Sequence, residues 1–166
     1  MPVSIEEYIG TEYEPDCDFV DGELIDRNAG YYPHSGVLSE LLYVLHAHRP
    51  AIRVYPTLRM RVALNRIRVV DVCAVAGPEP KYEILQEPPF LCIEVLSHLD
   101  TLAAMQEKID DYLGFGVANI WLIDSLDRRA WVYTTDGSRE VKDGVLRTED
   151  PAITVPLSEV FARRKA

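Results

Sequence analysis

The sequence predicts an α/β (α+β) fold: a mixed β-sheet core with helices packed on it and an added hairpin at the edge. Short apolar runs of strand length recur along the chain, and two longer stretches between them repeat their apolar residues at helical spacing. Turn residues separate each run from the next. An apolar fraction of 48% over 166 residues suits one domain with a filled core.

The elements follow in order. Ser4-x-x-Glu7 is a capping box that opens a short helix through about Ile9. Asp21-Gly22, between Phe19-Val20 and Glu23-Leu24-Ile25, is a type I′ hairpin signal. Val37, Leu38, Leu41, Leu42 and Leu45 predict a helix over about His34–His48, ended by Pro50. Strands are expected at about Arg53–Val62 and Arg68–Val75, with Asn65 in the turn. A loop rich in Pro and Glu, Gly77–Pro89, leads to the most apolar strand, Phe90–Leu96. A second amphipathic helix runs from about Thr101 to Leu113 and is closed by Gly114 and Gly116. Ile120–Ile123 and Ala130–Tyr133 are short strands, and a hairpin at Asp143-Gly144 is expected to extend the sheet edge. The last predicted element is a short helix, Leu157–Ala162.

Charge and cysteine usage narrow the setting. Cys17, Cys73 and Cys92 are odd in number and lack CxxC spacing, which predicts free thiols in a reducing compartment. The N-terminus carries no signal-peptide pattern and no apolar run reaches membrane-spanning length, so a cytoplasmic location is expected. A net charge of −10 argues against a general polyanion binder. From Leu41 to Val70, however, there is no acid, while Arg49, Arg53, Arg59, Arg61, Arg66 and Arg68 give +6. Such a segment is compatible with a nucleic-acid face and equally with a solvated hairpin.

Two buried acids carry the chemistry. Glu94 interrupts the run Phe90–Leu96, and Asp71 interrupts Val69–Val75. An ionised carboxylate in such a strand costs several kcal/mol unless it is paired or ligates a cation. A hard divalent cation held by both acids on neighbouring strands would resolve the two anomalies together. A buried ion pair with arginine is the competing explanation for each. Lys108 lies on the flank of the second long helix, beside Met105 and Tyr112. It either snorkels to solvent and pairs with Glu107 or Asp111, or reaches the end of the Glu94 strand to meet a phosphate.

The blocks Asp18-Phe19-Val20-Asp21-Gly22-Glu23-Leu24, His34, Val70-Asp71-Val72 and Ile93-Glu94-Val95-Leu96-Ser97 occur in a distinctive order. With Lys108-x-x-x-Tyr112-x-x-x-Gly116-Val117-x-x-Ile120-Trp121-Leu122-Ile123-Asp124, they resemble the bacterial Uma-type endonucleases over about Ser4 to Tyr133. That family is a branch of the PD-(D/E)xK superfamily, with the restriction-endonuclease-like fold. The resemblance implies Asp71 as motif aspartate, Glu94 as second acid, the Val95 carbonyl as a further ligand of Mg²⁺ or Mn²⁺, and Asp18 as an outer acid. The superfamily lysine's usual slot holds Leu96, which points to Lys108 as a migrated catalytic lysine. His34 matches a family histidine whose role is water activation, phosphate contact or helix capping. His46 and His48 match nothing in it. DNA is the implied substrate, Arg59, Arg61, Arg66 and Arg68 are candidate contacts, and a homodimer is expected.

The chain departs from the family pattern in carrying Val70 before the motif aspartate, a shorter acid at Asp18, and Ala104 where an acid is usual, although Asp100 is retained. These departures suit a second function, a catalytically degenerate module for dimerisation or partner binding. A thiol-based zinc site is a third possibility, because strand alternation puts Cys73 on the face of Asp71 and Cys92 on that of Glu94. Without a His at ligand spacing, packing as small core residues is the better expectation.

Overall fold

The computed structural model describes residues 2–28 and 30–161. Helix α1 (Ile5–Ile9) opens at Ser4, whose hydroxyl accepts the Glu7 N–H at 3.1 Å. Strands β1 (Cys17–Val20) and β2 (Glu23–Asp26) form a hairpin, with the positive φ at Asp21 (51°) and Gly22 (96°) that a type I′ turn needs. Helix α2 (Tyr32–His46) begins two residues before its expected start. Pro33 fits its first turn, where a missing N–H costs no hydrogen bond.

Strands β3 (Ile52–Ala63), β4 (Arg66–Ala76) and β5 (Leu91–Leu96) come next. Helix α3 (Leu102–Phe115) is capped by Thr101 and ended by Gly116 at φ 109°, a conformation that favours glycine. Then follow β6 (Asn119–Asp124), β7 (Arg129–Thr134), β8 (Gly137–Glu140), β9 (Val145–Glu149), β10 (Ala152–Pro156) and α4 (Leu157–Val160). Ala162, the expected end of the last helix, lies outside the described residues.

The main sheet runs β2-β1-β4-β5-β6-β7-β8, with β3 along the other edge of β4. Among the described strand pairs only β5–β6 is parallel, and α3 makes its crossover. Helix α2 buries Val37, Leu41 and Leu45 on one face, together with β9, β10 and α4. Helix α3 buries Met105, Ile109 and Tyr112 on the other. The central strands are therefore covered on both sides, which is why they read as unbroken apolar runs. Among the described residues no helix is long and apolar enough to cross a membrane.

The hairpin expected at Asp143-Gly144 is absent. The chain reverses before it, between β7 and β8, and after it, between β9 and β10. Asp143 Oδ1 accepts the Val145 N–H and Gly144 has φ 77°, so this turn redirects the chain between two sheets. The β9–β10 pair is a separate sheet packed into the α2-side core, while the β7–β8 hairpin forms the edge of the main one.

One irregularity positions the site. Two strands share the same edge of β4: β1 pairs Arg66 and Ile67, and β5 pairs Val72, Cys73 and Ala74. Between them the sheet forks, and residues 68–71 have no strand partner on that side. The opposite edge pairs continuously with β3 except at Asp71, which faces Thr57 between the pairs Pro56↔Val72 and Leu58↔Val70. Thr57 has φ 51°, an outlying conformation for a β-branched residue. Strand alternation breaks there: Val70 and Cys73 both face α3, whereas Val72 and Ala74 face α2. Cys73 therefore does not mirror Asp71. It pairs across the strands with Cys92, and both thiols are fully buried.

Candidate active site

The fork leaves backbone groups of β4 to be satisfied by side chains, and those side chains build the site. Asp18 on β1 accepts the Val69 N–H at 2.8 Å, and Lys108 Nζ on α3 donates to the Val69 carbonyl at 3.0 Å. Across the fork, Asp71 Oδ2 accepts the Val95 N–H of β5 at 2.9 Å. The N–H and C=O of a strand residue point to the same edge, so the Val95 carbonyl is also directed toward β4.

Glu94 faces α3. Lys108 Nζ lies 3.1 Å from its carboxylate, and Tyr112, one helical turn beyond Lys108, donates to Oε1 at 2.5 Å. Lys108 is also 3.7 Å from Asp18 Oδ2. It neither reaches free solvent nor pairs with Glu107 or Asp111, which take Arg66 and Arg68 instead. From α2, His34 Nε2 stands 3.3 Å from Asp71 Oδ2. Asp18, His34, Asp71, Glu94, Val95 and Lys108 thus line one cavity of about 210 Å³.

Burial pushes the Asp71 carboxyl upward, but His34, Lys108 and the Val95 N–H outweigh it and hold it down at about 2. Glu94 goes the other way. Burial pushes it up to about 7, with Asp71 adding to the rise, and Lys108 and Tyr112 offset only part of it. Below about pH 4.5 Glu94 is protonated in folded and unfolded chains alike. Between there and about 7 the unfolded chain releases its proton while the folded chain keeps it, so stability falls as pH rises and levels off above the window. The slope is at most about 1.4 kcal/mol per pH unit. Urea unfolding from about pH 5 to 8 should show this decline in the wild type and a flatter profile in Glu94→Gln. Equal slopes would remove Glu94 as its source.

A raised, under-compensated carboxyl beside a depressed one, both hard oxygen donors, suits a divalent cation. Among the described residues, however, no three His, Cys, Asp or Glu side chains gather into a ready metal cluster. Arg27, which follows β2, donates instead to Asp71 Oδ1 at 2.7 Å. Sequence reasoning misses Arg27, because nothing in its local pattern links it to a strand 44 residues away. It also gives Tyr112 no contact with Glu94, although the i, i+4 spacing from Lys108 places both over that carboxylate.

The candidate arginines are largely engaged within the chain. Arg59 binds Asp16 at 2.6 Å, Arg61 donates to the Leu64 carbonyl at 2.8 Å, and Arg66 binds Asp21 at 2.6 Å and Asp111 at 3.0 Å. Arg68 is buried between Asp18 and Asp111.

The forked mixed sheet carries helices on both faces. It is similar to the crystal structure of a "putative nuclease belonging to DUF820" from Anabaena variabilis, with a TM-score of 0.85, 20% identity, and coverage of 97% of this chain and 98% of that one. The chain belongs to the Uma2 family, described as "putative restriction endonuclease", whose model matches residues 5–161. No curated protein matches the sequence.

Proposed function

We propose that the chain is a metal-dependent endonuclease that hydrolyses phosphodiester bonds in DNA, with Lys108 as its migrated catalytic lysine. The observation that carries this reading is the meeting of Asp71, Glu94 and Lys108 in one cavity at the fork, beside Asp18 and His34. Asp71, Glu94 and the Val95 carbonyl would hold Mg²⁺ or Mn²⁺. Asp18 stands one layer out, because its oxygens already take the Val69 N–H and Arg68. A bound divalent cation supplies Lewis-acid stabilisation of the phosphate and a water of lowered pKa.

The chain's own groups do the rest. Lys108 keeps an ammonium beside Glu94, where it meets charge developing on the phosphate. His34 and the Val95 N–H hold the orientation of Asp71. Arg59, Arg61 and Arg66, each partly exposed, are proposed contacts to the DNA backbone, whereas Arg68 serves the site from within. A homodimer that cuts both strands belongs to this reading. So does a cytoplasmic location, which the buried free thiols suit.

The test is nicking of supercoiled plasmid by the purified chain with Mn²⁺ or Mg²⁺. Cleavage should vanish in Asp71→Asn and Glu94→Gln while both variants keep the wild-type circular dichroism spectrum. Undiminished cleavage by Glu94→Gln would end the mechanism. Arg27 on Asp71 favours a second reading, a degenerate module whose acids are held by internal cations. Such a protein gains no thermal stability from millimolar Mn²⁺, whereas an intact site does.

A further inference from the structure

Arg27 and Asn28, the two residues that follow β2, are each pinned beside the cavity. Arg27 Nη2 donates to Asp71 Oδ1 at 2.7 Å, and Asn28 Nδ2 donates to Asp100 Oδ1 at 2.7 Å. The pair is sheltered, with 14% of the Arg27 side chain and 7% of the Asp71 side chain exposed. Asp100 is itself fixed, since its other oxygen accepts the Ser97 N–H at 2.7 Å. Arg27 and Arg68 both line the cavity, but they are held differently. Arg68 is locked by Asp18 and by Asp111 outside the cavity, whereas the Arg27 ion pair is to the one acid His34 and Val95 also orient.

We propose that Arg27 is a resident counter-ion, seated on the Asp71 oxygen that a divalent cation would take, and that the cation displaces its guanidinium toward the cavity mouth to bind a substrate phosphate. This rests on the metal-dependent reading given above. A guanidinium and a divalent cation repel at contact distance in a sheltered site, so they compete for the same carboxylate oxygen. An arginine guanidinium stays protonated at any ordinary pH, so the charge moves with the group. Its planar fork of donors then matches a phosphate. The chain would thus have two charge-balanced states: Arg27 inward without metal, and metal inward with Arg27 on the substrate.

The experiment is calorimetric titration of the full chain with Mn²⁺ alone, in wild type, Arg27→Gln, Arg27→Ala and Arg27→Lys, each checked for a cooperative melt. Removing the competing cation should tighten Mn²⁺ binding in Arg27→Gln at least about tenfold. Arg27→Ala should behave alike, and Arg27→Lys should stay near wild type because it keeps the charge. Binding by the variants with none by the wild type would support the proposal further. Equal or weaker Mn²⁺ affinity in both neutral variants, with the wild type binding, would overturn Arg27 as a competitor and leave the metal site standing. Absence of binding in all four would overturn the metal reading and this inference together. For the second state, a fluorescent DNA duplex in Ca²⁺ should bind Arg27→Gln more weakly than wild type. Unchanged binding would overturn the phosphate role.

Discussion

Replacing Arg68 with Met should destabilise the fold by about 3–5 kcal/mol, because it removes one side of a buried ion network and leaves the other side charged. The Arg68 side chain is 4% exposed, and its guanidinium meets Asp18 at 3.2 Å and Asp111 at 2.7 Å. Asp18 is buried in β1 and also caps the Val69 N–H at the fork, so it cannot swing out to solvent without breaking that bond. Urea unfolding at neutral pH reads the loss as a fall in midpoint at constant slope. Adding Asp18→Asn to Arg68→Met should recover part of it, since the stranded charge is then gone. A loss below about 1 kcal/mol would mean that these acids reach water when Arg68 is absent.

The second large effect concerns Lys108. Lys108→Ala should lower DNA cleavage by at least about a hundredfold, the scale of removing one charged group aimed at developing negative charge. It should also cost stability, because Lys108 serves Glu94, Asp18 and the Val69 carbonyl at once. The two roles separate by condition. Protonating Glu94 removes the charge that Lys108 balances, so the stability cost should shrink below the Glu94 value of about 7. The cleavage defect should persist in Lys108→Gln, which keeps a hydrogen-bond donor to Val69 but no charge. Cleavage restored by Lys108→Gln would make the residue structural alone.

Most of the element order is legible in the sequence because each signal is local. The spacing of Val37, Leu41 and Leu45, the Asp21-Gly22 turn and the Thr101 to Gly116 helix depend on residues within a few positions of one another. The hairpin at Asp143-Gly144 fails for the same reason. The turn chemistry is real, but a local pattern does not say whether the strands on either side meet each other or diverge to different sheets. The anomaly of Glu94 and Asp71 is also legible, since an acid inside an apolar strand needs a partner wherever the strand goes.

The identity of those partners is a different matter. Lys108 and Tyr112 meet Glu94 because α3 folds back over β5 in the crossover to β6, and His34 meets Asp71 because α2 covers the opposite face. Arg27 reaches Asp71 only once β1 and β5 divide the edge of β4 and leave a gap for it.

The chain by itself determined that two carboxylates would be buried in strands covered on both sides, because side-chain hydrophobicity and strand periodicity are properties of neighbouring residues. Tertiary structure alone decided which cations answer them and that the alternation of β4 breaks at Asp71, opposite Thr57. Electrostatic partners are chosen by distance in space, and the forked sheet sets those distances between groups that lie far apart along the chain.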